Sequence, residues 1–501
     1  MSDTATFPRV DVSFSMDPVA RSSADVILVP LFEQDSLDDL AALDAATGGD
    51  VRRSLESQRV RGRPFELLFT RVTDRDQRVI GVGCGPREKL TVERLRKVAT
   101  AGAMAARQRK GPRVAFLMRS GERDAAVHAR AAATGLVLAA LGTDRYKTTP
   151  GDAAPLVEGT VIAPGALDLS AAVARGVVDG ENTNVARWLS DEPGNVMTPA
   201  SLADRARTLL DGSGVSVEVL EERALAALNM GLLLGVGRGS AEPPRLIVMR
   251  YTPAESASDR VLGLVGKGVT FDTGGISIKV AEGMEKMKHD MSGGAAVIAA
   301  MRAISRLKPR VAVLGVVPAV ENMPGSRAIK PGDILTSASG KTVEVINTDA
   351  EGRLILGDAL WYARREGATH LVDVATLTGA VVIALGKVTS GLFGAPGPWV
   401  DAVGAAASRA GERTWALPAD DDYADLLKSE SADMVNSGGR AGGAIAGAMF
   451  VREFTGGLPW AHLDVAGTAW ADDTKPWQPK GATGVAVRTL TELAMADETW
   501  P

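Results

Sequence analysis

The sequence predicts an α/β protein of two domains joined by a helix. Its 501 residues exceed what one compact unit usually holds, and short apolar runs alternate with helical spacing along most of the chain. Hydrophobic residues at 45% and charged residues at 23% supply a large core, which excludes disorder as a description of the whole. No internal repeat, coiled-coil heptad or low-complexity tract competes with that reading.

In the first third, Ala24–Val29, Phe65–Phe69, Val79–Val82 and Val114–Leu117 read as buried strands. Thr91–Gln108 and Ala125–Leu141, rich in Ala, Leu and Arg, read as helices between them. The Pro- and Gly-containing stretch Thr148–Gly165 reads as the end of an N-terminal domain, residues 1–165. A linker helix is expected over 166–195, its pattern running from Leu169 to Leu189 and stopping at the turn cluster Ser190–Asn195. Thr198-Pro199 opens the next helix, because proline suits the first helical position. The larger domain, 196–501, has strands at Ser216–Leu220, Leu246–Arg250, Val261–Val265, Val311–Val317, Val343–Ile346, Leu371–Val374 and Leu463–Val465. Helical patterns between several of them predict a sheet covered on both faces.

Composition narrows the chemistry. The single cysteine, Cys84, excludes a disulfide framework and a thiolate metal cluster, and fits a reducing compartment. Met1–Pro18 shows no secretory pattern, and no segment reaches the roughly 18 apolar residues of a membrane helix. A cytoplasmic protein without membrane partners is expected. A net charge of -5, from 56 basic and 61 acidic residues, argues against nucleic acid as a partner. The run Arg52, Arg53, Arg59, Arg61 and Arg63 lacks interleaved aromatics and reads as a solvated loop. The histidines His128, His289, His370 and His462 are too scattered for a His-rich zinc site, so a metal here must lean on carboxylates.

Two clusters stand out, each following a predicted strand, where open α/β sheets place ligands. After Val261–Val265 come Gly266-Lys267-Gly268, Asp272, Gly274-Gly275, Lys279 and Asp290; after Val343–Ile346 come Asp349, Glu351, Gly352 and Arg353. Spaced by two, Asp349, Glu351 and Arg353 share one side of an extended backbone, and Gly352 lets the chain turn into the next helix. The bare backbone around Lys267 allows close approach to something compact, and the glycine pair folds the loop so that Asp272 faces the same point. The first cluster is not a nucleotide loop, since Lys267 is followed by Gly268 instead of Ser or Thr, and the separate run Gly235–Gly239 is no dinucleotide fingerprint, since Pro243-Pro244 follows instead of a helix. Asp272, Asp290, Asp349 and Glu351 carry four negative charges, which two divalent ions balance if Lys267 is a neutral amine ligand, its proton repelled by the metals. Lys279 and Arg353 then remain as positive charge for an oxyanion, as a two-metal hydrolase requires. An acidic pair beside one arginine is by default a surface ion pair; the four further groups Lys267, Asp272, Lys279 and Asp290 are what argue otherwise. His289, His462 and Asp464 read as structural, and Met284 as core packing.

The run Asn347-Thr348-Asp349-Ala350-Glu351-Gly352-Arg353-Leu354 resembles the octapeptide of the leucyl aminopeptidases, the cytosol aminopeptidase family of dinuclear metallopeptidases. Gly266–Ile278, Glu321–Pro324, Lys330–Asp333, Asp373–Gly379, Ala432–Gly443, Trp460–Gly467 and Gly481–Gly484 are similar to further family segments, so the resemblance covers about Asn195 to Leu490. It implies a macro-like N-terminal domain and a C-terminal catalytic domain with a mixed central sheet flanked by helices. It further implies that Asp272 and Glu351 bridge two metals, that Lys267 and Asp290 complete the tighter site, and that Asp349 completes the exchangeable one. By the same resemblance Lys279 polarises the scissile carbonyl, Arg353 holds a bicarbonate serving as general base, and Met287, Thr376, Leu377 and Gly379 line the substrate pocket, with Ala466 a further candidate. The resemblance implies an aminopeptidase acting on peptides with apolar N-terminal residues such as leucine, zinc or manganese as cofactors, and a homohexamer. A specialised dipeptidase or biosynthetic peptidase, or a non-catalytic DNA-binding scaffold, are the alternatives. Val280-Ala281 after Lys279, Ser292, and the order Gly325-Ser326 depart from the family's usual pattern, but no presumed ligand does.

Overall fold

The computed structural model describes residues 9–501 apart from 120–123, 150, 166–167 and 256–257. Part of the stretch read for a secretory signal, and the first residues of the expected linker, lie outside the described residues. Contacts divide the chain into two compact units, Met1–Asn184 with Asp472–Lys480, and Val185–Ala471 with Gly481–Pro501. The division falls inside one continuous helix, Ser170–Ser190, instead of at 165 and 195.

The first unit is a six-stranded sheet. Its strands are β1 Asp11–Ser15, β2 Val26–Phe32, β3 Leu67–Arg71, β4 Arg78–Gly85, β5 Arg113–Leu117 and β6 Glu158–Ile162, ordered β1-β6-β5-β2-β4-β3. Only the β3–β4 pair is antiparallel. Thr148–Gly165, expected as a domain end, therefore contains an inner strand. Pro155 and Pro164 flank β6 without interrupting the hydrogen-bond ladder. Helix Val92–Gln108 starts where the sequence places it, with the Thr91 hydroxyl accepting the Arg94 N–H at 3.1 Å. Helix Ala125–Leu138 packs on it through Gly135, where a Cβ would stand 2.4 Å from the Arg96 carbonyl. The late segment Asp472–Lys480 belongs here because Trp477 packs on Phe65, ring centroids 4.1 Å apart, with the Lys97 ammonium over its face.

The second unit carries β7 Ser216–Leu220, β8 Arg245–Tyr251, β9 Val261–Gly266, β10 Gly268–Asp272, β11 Ala312–Asn322, β12 Asp333–Thr336, β13 Thr342–Val345, β14 His370–Ala375, β15 Ser390–Ala395, β16 Thr414–Ala416, β17 Met434–Val435 and β18 Trp460–Asp464. A mixed sheet runs β16-β15-β18-β14-β9-β11-β8-β7, with β10 added beside β11. Its inner strands β18, β14, β9 and β11 are mutually parallel. Helices on both faces bury β14 completely, which is why its sequence shows no alternation. The strand expected at Val343–Ile346 is β13, and it belongs to a separate sheet ordered β12-β13-β17. No helix among the described residues is long and apolar enough to cross a membrane.

Candidate metal centre

The four parallel strands end together, and their carboxyl ends supply the centre. Asn322 is the last residue of β11, Lys267 follows β9, Thr376 follows β14, and Asp464 is the last residue of β18. Helix Ser292–Leu307 starts against them through glycines. A Cβ at Gly293 would stand 2.0 Å from the Val374 carbonyl, and one at Gly266 would stand 2.5 Å from the Gly293 carbonyl. The bare backbone before Lys267 thus admits this helix, not a ligand as the sequence suggested. Gly268 likewise faces the Pro318 carbonyl of β11.

Asp349 and Glu351 reach the same point by a turn and a helix, not by an extended strand. Asn347 holds the turn, accepting the Asp349 N–H on its side chain at 2.9 Å, and Glu351 begins helix Glu351–Arg365. Gly352 is an ordinary helical residue whose missing side chain makes room for Lys267; a Cβ there would lie 2.7 Å from Lys267 Cε and 2.8 Å from Nζ. The Gly274-Gly275 pair does fold its loop back, with φ of 87° and 67°. The loop closes by the Lys279 N–H donating to the Thr273 carbonyl at 2.9 Å.

Among buried groups, Asp272, Asp290 and Glu351 each offer a carboxylate oxygen within 4.8 Å of the other two. Lys267 Nζ lies 2.7 Å from Asp290 Oδ2 and 2.8 Å from Glu351 Oε1, and donates to the Thr376 carbonyl at 2.8 Å. Lys279 Nζ lies 2.8 Å from Asp272 Oδ2 and pairs with Asp349. Asp272 Oδ1 accepts from the Gly274 N–H and from Asn322 Nδ2, and the Thr376 hydroxyl donates to Asp290 Oδ1. Four carboxylates thus share two lysines. Burial, aided by the neighbouring carboxylates, pushes Glu351 up to about 8 and Asp290 up to about 6, and raises Asp349. Burial alone would lower the lysines; the surrounding carboxylates outweigh it and hold both ammonium groups protonated. Glu351 Oε2 is buried with no hydrogen-bond partner among the described residues. A carboxylate-rich donor set with surplus negative charge and an orphaned acceptor fits divalent cations.

Arg353 is buried beside this cluster. Its Nη1 donates to the Asn436 carbonyl at 2.9 Å, and its Nε has no hydrogen-bond partner among the described residues. Burial pulls its pKa down to about 10, opposed by Glu351 and Asp464. Leu377 and Thr378 share a wall with Arg353, since a Cβ at Gly447 would meet all three within 3.3 Å. Gly379 is exposed, and Met287 is half-buried in the short turn of helix before Asp290. His289 and His462 take structural positions, the first against Trp470 and the second bonded to Asp373 inside the sheet.

Sequence reading missed two residues that build the centre. Asn322 ties Asp272 to the Thr348 carbonyl. The Asn436 side chain accepts the N–H groups of Ile346 and Asn347 and donates to the Asn347 carbonyl at 2.7 Å, fixing the turn that carries Asp349. A neutral amide has no local pattern, so only its place within similar family segments pointed to it.

The catalytic-domain model of the cytosol aminopeptidase family matches residues 184–491, and that family's N-terminal-domain model matches 28–150. A probable cytosol aminopeptidase of Solibacter usitatus is 49% identical over 487 residues, covering 97% of this chain and 99% of that one. One from Alkaliphilus metalliredigens is 42% identical over 493 residues, covering 96% and 98%. A mutant of tomato leucine aminopeptidase shares the fold with a TM-score of 0.90 at 31% identity, covering 98% of each chain. The bottromycin maturation enzyme BotP in complex with Mn gives 0.84 at 37%, covering 95% of this chain and 99% of that one. Matched along both units in sequence and in fold, the chain belongs to the cytosol aminopeptidase family, whose members are metal-dependent aminopeptidases that hydrolyse peptide bonds.

Proposed function

We propose that the protein is a cytoplasmic, two-metal leucyl-type aminopeptidase that removes apolar N-terminal residues from peptides. The observation that carries this is the buried Glu351 oxygen without a partner inside a cluster of four carboxylates. Asp272 and Glu351 would lie between two divalent ions, manganese or zinc, with Lys267 and Asp290 on one side and Asp349 on the other. Bound there, the ions supply a Lewis acid for the carbonyl and a water acidic enough to act as nucleophile near neutral pH. Lys267 now directs its ammonium at Asp290, Glu351 and the Thr376 carbonyl. To serve as a ligand it must give up a proton and turn away from at least one of them.

Lys279, about a quarter exposed, is the cation a substrate can reach, and its N–H groups suit the oxygen of the scissile carbonyl as charge develops there. Asp290 is placed to hold the substrate's free α-amine, which confines cleavage to the end of a chain. The orphaned Nε of Arg353 suits a small planar anion such as bicarbonate beside Glu351. Leu377 and Met287 offer an apolar surface to the first side chain. A homohexamer is the assembly the family resemblance favours.

The likeness to a bottromycin maturation enzyme favours a second reading, a peptidase specialised for one precursor. Manganese-stimulated release from a leucine chromogenic amide, loss of it with a chelator or in Glu351→Ala, and loss on acetylating the substrate amine together test the proposal. Turnover of the acetylated substrate would overturn the exopeptidase assignment. Activity on one precursor peptide alone would select the second reading.

A further inference from the structure

Asp464 ends β18 directly beside Ala375, the last residue of β14, so it lies against the turn that leads from β14 into helix Gly379–Leu385. It is completely buried, with His462 and Arg353 as its neighbouring basic groups. Besides His462, three donors hold its charge. The Leu377 and Ala466 N–H groups donate to Oδ1, each at 3.2 Å, and the Thr378 hydroxyl donates to Oδ2 at 2.6 Å. The same Thr378 hydroxyl accepts the Val381 N–H and so caps the helix. From the opposite side the turn is held by Thr376, whose carbonyl takes a hydrogen bond from Lys267 and whose hydroxyl gives one to Asp290. Helix Gly443–Arg452 closes on Leu377 and Thr378 through Gly447, where a Cβ would stand 3.2 and 3.0 Å from them. A buried carboxylate costs stability that an apolar side chain would not, so its presence calls for a return in geometry.

We infer that Asp464 is a positioning residue: it clamps the Thr376–Gly379 turn against the carboxylate cluster and thereby sets how tightly the substrate's first residue is held. This rests on the reading of that turn as the pocket wall. Asp464 touches neither the cluster nor the substrate; it reaches them through the Thr376–Gly379 wall and through its charge on Arg353.

Kinetics on a leucine chromogenic amide, bound-metal content and hydrogen exchange of the peptide spanning the turn test the inference on the manganese-loaded protein. Asp464→Ala is expected to raise KM about tenfold, with kcat and metal content within about threefold of wild type, and to speed exchange at the turn about tenfold. Asp464→Asn keeps an acceptor for Leu377 and Ala466 and offers an N–H to Thr378, so KM returns to within about threefold. Thr378→Val is expected to raise KM as well, and the double variant to rise less than the product of the two single effects. An unchanged KM with unchanged exchange in both single variants, or a fall of kcat with lost metal at unchanged KM, overturns it. If Asp464→Ala does not fold, Thr378→Val and Asp464→Asn decide. If the wild type releases nothing, the aminopeptidase reading fails by itself, and exchange at the turn still decides the clamp.

Discussion

Two buried charge clusters in this protein follow opposite rules. In the first unit, Arg119 is fully buried and bonds both oxygens of Asp35, Asp39 and the Pro30 carbonyl, with Arg87 3.8 Å from Asp35. Asp35 also accepts the Phe32 and Leu37 N–H groups. Burial opposes the Asp35 charge, yet the Arg119 bonds win and hold the carboxyl below its ordinary value. Two cations face two carboxylates there. In the second unit four carboxylates face two lysines, several are pushed upward, and one oxygen is left over. A cluster built to stay shut matches its charges internally. A cluster short of positive charge is built to receive it.

The largest expected break in this contrast is in activity. Chelation, or Glu351→Ala, should lower release from a leucine amide at least about a thousandfold; activity within tenfold of wild type would mean the charge deficit has no function. Next, Arg119→Met should destabilise the first unit by about 3–5 kcal/mol, because it strands buried carboxylates. Denaturant melts followed by hydrogen exchange within residues 26–40 check this, and added manganese should not change it. Gly352→Ala should cut turnover about 10–100-fold by pushing Lys267 aside; steady-state kinetics at saturating metal would show it. In metal-free protein near neutral pH Glu351→Gln should stabilise the second unit by about 1 kcal/mol, since it removes a buried carboxyl that must take up a proton on folding. A destabilised variant would place this cluster with the first.

A separate effect is a pH slope from Asp358, which burial pushes up to about 7 despite N–H donors from Leu232, Leu233 and Ala338. The unfolded chain releases that proton near about 4, so the folded state binds more protons between the two values. Stability from this group is therefore full at low pH and lost as pH rises from about 4 to about 7. Denaturant midpoints across that window should flatten in Asp358→Asn.

Local signals were readable in the sequence where local physics decides. Thr91 and Thr198-Pro199 cap their helices as their chemistry dictates, and apolar runs marked β9 and β14. The strand β6 escaped because prolines and glycines flank it, and β10 because Lys267 between glycines reads as loop. Lys267, Asp272, Lys279, Asp290, Asp349 and Glu351 were grouped by charge and resemblance, and the structure brings them together. The spacing argument for Asp349, Glu351 and Arg353 was wrong, because a helix starting at Glu351 carries the last two. Asn436 and Asp464 act on turns 86 or more residues away, and no window of sequence shows such a partner.

The placement of Asp472–Lys480 has a consequence for how the chain is made. During synthesis, the face of Phe65 and Lys97 emerges some four hundred residues before the tryptophan that covers it, so the unit that leaves the ribosome first is among the last to be completed. Expressing residues 9–184 alone would leave that aromatic face in water, and adding a peptide spanning 472–480 is the direct way to close it.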